Sequence, residues 1–223
     1  MWVIDAIRTR KSVRAYKPDP VPKELLREIL TIAGHAPSAM NAQPWEFCVL
    51  AGTVLDNVRQ ANLELLRSGA EPCGEQSVTG WSRDSVYRER QVALAIQLFK
   101  LMGIERHDKE KRMEWMARGF GFFGAPAAII ILTDKSLQPD TPLVDIGIVT
   151  QSICLTALAY GLATCIEDQG CLYPEVLRKL AEIPDSKRIV IAIAIGYPDW
   201  DFPANAVSTS RVPIDDITLW RGF

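Results

Sequence analysis

The sequence predicts an α/β or α+β fold, with helices covering both faces of a sheet. Two continuous apolar runs, APAAIIILTD (125–134) and RIVIAIAIGYP (188–198), have the composition of strands buried on both sides. Segments of helical periodicity alternate with such runs along the chain. Residues 143–160 (LVDIGIVTQSICLTALAY) are almost wholly apolar over a helix's length, so that helix must lie in the core.

An apolar helical face over residues 1–7 leads into RTRKSVRAYKPDPVP (8–22), which carries five cations and no acid before Asp19. Pro22 then starts a helix whose apolar positions fall at 25, 26, 29, 30 and 33. WEFCVLAG reads as a strand of β-formers stopped by Gly52, and residues 53–67 as a helix with Leu55, Val58, Ala61 and Leu65 on one face. Residues 69–84 are rich in Gly, Pro and Ser and read as a long loop, a length usual for functional lids or for disordered segments. Two helices are expected at 85–102 and 108–118, a short strand at LATCIE (162–167) and a helix at 174–182. From Asp201 the chain reads as an extended tail without a core of its own. A single domain over 1–223 is expected, with a lid-like insertion at about 69–120 and a tail at about 204–223.

The composition excludes several classes. A formal net charge of −2 gives no general attraction for nucleic acid or an anionic membrane. No stretch of about 18 uninterrupted apolar residues spans a bilayer. The N-terminal residues lack the order of a secretory leader, so a cytoplasmic location is expected. Five cysteines without CxxC spacing suit reduced, mostly buried thiols, and two histidines are too few for a His-based metal site or a Ser–His–Asp triad. No metal is therefore expected.

Four segments could carry chemistry. Arg10, Lys11, Ser12 and Arg14 would suit a phosphate, although most such clusters are solvated charge runs. The loop APSAMNAQPWEF (36–47) offers paired amides at Asn41 and Gln43, or is an ordinary helix-to-strand connection. In GLATCIEDQG a strand end presents backbone groups beside Glu167 and Asp168, or is an acidic turn. Arg211, in STSRVPIDDITLW, is one cation in the tail and by itself reads as a surface arginine.

Together, in order and over essentially the whole chain, these four resemble the nitroreductase family of flavin mononucleotide enzymes. The resemblance implies an α+β fold with a central, mainly antiparallel sheet flanked by helices, in an intertwined homodimer with two FMN sites at the subunit interface. It implies that Arg10, Lys11 and Ser12 hold the phosphate and ribityl chain and that Arg14 sits at the N1–O2 edge of the ring. Pro37, Ser38, Met40 and Asn41 would come from the second subunit. Cys165, Ile166, Glu167 and Asp168 would run beside the ring, and Arg211 would return to the phosphate. Relatives often have a glycine-rich turn where this chain has Glu167–Asp168–Gln169. The central insertion resembles that of the nitrobenzoate and nitroaromatic reductases, and Trp81, Arg83 and Phe123, in or beside it, are the candidate acceptor contacts, unless Phe120, Phe122 and Phe123 simply pack under its helices.

The implied activity is ping-pong hydride transfer from NADH or NADPH to a nitroaromatic, quinone or similar electron-poor acceptor, with no side chain nominated as catalytic acid or base. No GxGxxG fingerprint is present to choose between the nucleotides. The competing readings are a reductive dehalogenase of deiodinase type and a non-catalytic flavin-binding protein.

Overall fold

In the computed structural model, which describes residues 2–76 and 80–223, the elements run as follows. Helices α1 (Val3–Thr9) and α2 (Lys23–Ala33) precede strand β1 (Glu46–Ala51) and helix α3 (Gly52–Ser68). The insertion contributes α4 (Val86–Leu101) and α5 (Lys109–Phe120). Then come β2 (Ala127–Asp134), α6 (Leu143–Ala159), β3 (Ala163–Glu167), α7 (Pro174–Ala181) and β4 (Lys187–Gly196). The strands form one sheet in the order β1-β2-β4-β3, and every pairing is antiparallel. Of the two classes open at the outset, the fold is therefore α+β.

An antiparallel sheet needs only one apolar face, yet β2 is apolar at every position to Leu132 because both of its faces are covered. Successive residues of a strand point to opposite sides. Ala128, Ile130 and Leu132 accordingly pack with Leu55 and Val58 of α3, Phe120 and Phe122, and Leu177 of α7. Ala127, Ile129 and Ile131 pack instead with Leu26 and Ile29 of α2 and with Val149 and Ile153 of α6. A register shift beside Ile131 admits one extra residue of β4 there. Because α6 lies under the second layer, it buries Ile146, Val149, Ile153 and Ala157 and has no strong polar face.

The long loop is only partly free. Glu75 accepts a hydrogen bond from the Ile189 amide at 2.7 Å and pairs with Arg178 at 2.6 Å and Lys135 at 3.2 Å. That network pins residues up to 75 to the start of β4. Residues 77–79 of the expected 69–84 loop, and Met1 of the first helical face, lie outside the described residues.

Between α5 and β2, Phe122 and Phe123 adopt φ of 54° and 53°, a conformation that side-chain-bearing residues rarely take. Arg59 of α3 holds this turn, donating to the carbonyls of Gly121 and Ala125. Phe120, Phe122 and Phe123 all join the core, Phe123 being only 6% exposed. Of the two expectations for Phe123, an acceptor contact or packing under the insertion, its burial favours the packing. The five cysteines are free, and only Cys73 is exposed. No helix among the described residues is long and apolar enough to cross a membrane.

Candidate functional site

The basic segment is fixed to the sheet through its backbone. Beyond α1 the chain extends alongside β3, where Ser12 bridges Thr164 in parallel and the Val13 amide donates to the Thr164 carbonyl at 3.0 Å. Val13 and Ala15 are buried. Extended alternation therefore turns Arg10, Ser12 and Arg14 toward the opposite face.

A buried asparagine, 1% exposed, clamps this segment. Asn205 Oδ1 accepts from the Arg14 amide at 2.6 Å, while Nδ2 donates to the carbonyls of Ala15 at 3.0 Å and Asp199 at 2.7 Å. Its own carbonyl accepts from Lys11 Nζ at 2.6 Å. Sequence reasoning missed Asn205, because it lies in a stretch read as extended tail. The only local signal is PANA, which forms a short 3-10 turn at Pro203–Ala206. Arg10, Lys11 and Arg14 are half-buried, and among the described residues none of them has a carboxylate within ion-pair distance. Partly desolvated cations without a counter-charge are costly unless an anion joins them.

The end of β3 forms a wall beside this segment. Burial pushes the Cys165 thiol up to about 12, outweighing the nearby Arg14, so it stays protonated. Burial likewise raises the Glu167 carboxyl to about 8, leaving it largely neutral at pH 7. Glu167 Oε2 accepts from the Gly170 amide at 2.8 Å, whereas its buried Oε1 has no hydrogen-bond partner among the described residues. The acidic turn thus ties up one of its own backbone donors. Gly170 is required here, since a Cβ would lie 2.3 Å from the Phe122 ring. Ile166 and Asp168 are half-buried on the same stretch.

The third segment projects outward. In the loop after α2, Met40, Asn41 and Gln43 have φ of 50°, 58° and 47°, and the Met40 side chain is fully exposed. Strain of this kind persists only where surrounding contacts impose it. Ser38 Oγ accepts from the Gln43 amide at 2.9 Å, and Gln43 Nε2 donates to Asn41 Oδ1 at 3.1 Å. The carboxylate of Asp145, buried in the first turn of α6, accepts from the Ala39 amide at 3.3 Å. Pro37, Ser38, Met40 and Asn41 therefore stand on a braced protrusion anchored to α6, not on the basic segment.

Arg211 is exposed, and its guanidinium donates to Thr209 Oγ1 and the Ser210 carbonyl, each at 2.9 Å. It lines a groove of about 660 Å³ with Trp81, Tyr87, Arg90 and Gln97. There Trp81 and Tyr87 lie 5.1 Å apart between ring centroids, and Arg90 sits 5.9 Å from the Tyr87 ring. Trp81 thus belongs to an aromatic wall, whereas Arg83 is exposed and does not line the groove. Within one chain, then, residues 10–14 and 165–168 come together, and Trp81 comes together with Arg211.

The model of the nitroreductase family matches residues 7–197. A chloronitrobenzene nitroreductase of Comamonas testosteroni is 32% identical over 220 residues, covering 98% of this chain and 96% of that protein. The crystal structure of the FMN- and NADPH-dependent nitroreductase NfnB from Sphigopyxis sp. strain HMH superposes with a TM-score of 0.94 at 28% identity, each chain covered completely. NfnB of Mycobacterium smegmatis, an FMN-dependent nitroreductase solved in complex with NADPH, gives 0.91 at 25% identity and covers 98% of both chains.

Proposed function

The chain belongs to the nitroreductase family, and from that membership we propose that it is an FMN-dependent oxidoreductase passing hydride from NADH or NADPH to nitroaromatic or quinone-like acceptors. The observation that carries the reading is the set of three half-buried cations, without carboxylate partners, on a backbone clamped to β3. Such a site fits the phosphate of FMN, and Arg10, Lys11 and Ser12 are its ligands. Bound FMN supplies hydride acceptance and donation, while the protein supplies binding, orientation and electrostatics.

Arg14 would add a positive charge beside the bound ring, where it would favour negative charge on the ring once reduced. Cys165, Ile166, Glu167 and Asp168 form the side wall. Because Cys165 and Glu167 are held protonated, most of that wall adds no negative charge to a site that must accept electrons. Trp81 and Tyr87 offer flat apolar area for an aromatic acceptor, and Arg90 can meet its carboxylate or a nucleotide phosphate. On this reading the insertion at about 69–120 is a lid, and Arg211, at the edge of the acceptor groove, remains a ligand of the cofactor phosphate.

The functional unit is a homodimer in which Pro37, Ser38, Met40 and Asn41 of one copy complete the site of the other. Exposed Met40, Leu219, Trp220 and Phe223, which the described residues leave largely uncovered, support that assembly. Five free cysteines support a reducing, cytoplasmic location.

The test is direct. Purified protein should be yellow, hold one FMN per chain, and oxidise NADH or NADPH in the presence of 4-nitrobenzoate. Replacing Arg10 with alanine should weaken FMN binding by about 1.5–3 kcal/mol, the worth of a charge-assisted hydrogen bond. Colourless protein that FMN cannot reconstitute would sink the proposal.

A further inference from the structure

We propose that Arg118, in the last turn of α5, is a positioning residue of the cofactor site that holds Arg14 in place from the insertion. The inference rests on the reading above, in which Arg14 faces the flavin. In the sequence Arg118 looks like one more cation on a polar helix. In the structure its Nη2 donates to the Arg14 carbonyl at 2.9 Å, and its guanidinium lies 4.3 Å over the ring of Phe202. Its Nε is buried and has no hydrogen-bond partner among the described residues. Among the described residues no carboxylate pairs with it, and burial lowers its pKa without neutralising an arginine. A cation kept in this setting costs stability, so holding the Arg14 carbonyl is what the arrangement achieves.

The Arg14 residue is therefore gripped at both ends. Asn205 Oδ1 takes its amide and Arg118 takes its carbonyl, which fixes the backbone from which the Arg14 side chain leaves. The end of α5 is equally fixed on its other side. Asn62 Nδ2, fully buried, donates at 3.2 Å to the carbonyls of both Phe120 and Gly170. Gln169 Nε2 donates to the Met116 carbonyl at 3.3 Å, and Gly119 leaves no room for a Cβ against the Gln169 amide. The last turn of α5 is thus a brace between the two walls of the site, the basic segment and the β3 turn. A guanidinium suits the task because its planar fork can stack on Phe202 and donate to a carbonyl at once.

The test compares Arg118→Met, Arg118→Lys and Phe202→Leu with the parent, all loaded with FMN. Arg118→Met should raise the FMN dissociation constant about tenfold, the effect of losing one hydrogen bond from a charged donor. It should also lower the flavin midpoint potential and slow anaerobic reduction by NADPH, while KM for 4-nitrobenzoate stays unchanged. Arg118→Lys, which keeps the charge and one donor, should recover part of each effect. Phe202→Leu should move the FMN dissociation constant in the same direction by less, and it reports even where Arg118→Met fails to fold. Variants that match the parent in FMN affinity, potential and reduction rate while only their melting temperature falls would overturn the proposal, leaving Arg118 a packing residue. A parent that takes up no FMN refutes the proposed function instead.

Discussion

Replacing Asn205 with alanine should cost about 4 kcal/mol of stability. The side chain makes three hydrogen bonds, at 2.6, 3.0 and 2.7 Å, from a position 1% exposed. At about 1 kcal/mol each their loss amounts to roughly 3 kcal/mol. The Ala15 carbonyl would keep the Asp199 amide, and the Asp199 carbonyl would keep the Phe202 amide, so those acceptors are not stranded. The Arg14 amide has only Asn205, and stranding it adds about 1 kcal/mol or more. For a chain of this length each kcal/mol moves the melting temperature by roughly 2–4 °C, so a fall of about 10 °C is expected. Asn205→Asp should be no milder. Its carboxylate can still accept from Arg14, but it faces two carbonyl oxygens where Nδ2 had donated. The assay is thermal unfolding followed by near-ultraviolet circular dichroism, on FMN-loaded and FMN-stripped protein alike. A shift below about 2 °C in the stripped protein would refute the reasoning, because the clamp is built from protein atoms alone.

Two further outcomes follow from the same geometry. The raised Glu167 carboxyl makes folding pH-dependent: below about 4.5 both states are protonated, and as pH rises toward about 8 the unfolded chain loses a proton that the folded chain retains. Stability should therefore fall across that window, and Glu167→Gln, which can still accept from the Gly170 amide, should flatten it in urea titrations; an unchanged slope would exclude Glu167 as the source. Deleting residues 214–223 removes exposed Ile214, Ile217, Leu219, Trp220 and Phe223, and sedimentation velocity should show the proposed dimer shifted toward monomer, whereas an undiminished dimer would place the interface elsewhere.

Periodicity located the elements because the chain obeys it. The helical stripe at 25, 26, 29, 30 and 33 is α2, and the two long apolar runs are β2 and β4, central in the sheet and covered on both faces. The same apolarity hid the pairing direction, since a strand buried on both sides reads alike in parallel and antiparallel sheets. Of the candidate site, the two segments that lie side by side, Arg10–Arg14 and Cys165–Asp168, were legible as motifs. Asn205 and Arg118 were not, because each acts through backbone atoms of residues far away in sequence, and no local pattern records such a partner. The aromatic cluster was visible but could not be divided. Trp81 stands at a groove, whereas Phe120, Phe122 and Phe123 are core, a division set by the left-handed turn that Arg59 holds.

The Lys11–Asn205 contact joins residues 194 apart, and the Ser12–Thr164 bridge spans about two thirds of the chain. A ribosome synthesises a chain from the N-terminus at about 5–20 residues per second, so Arg10–Arg14 emerge first and then wait for almost everything else. Until Asn205 has left the exit tunnel the anion site has neither its clamp nor its full wall. Completion of the anion site is consequently a late event in the folding of this chain. A nascent chain arrested shortly before residue 205 would expose its cluster of cations to any polyanion nearby, ribosomal RNA included.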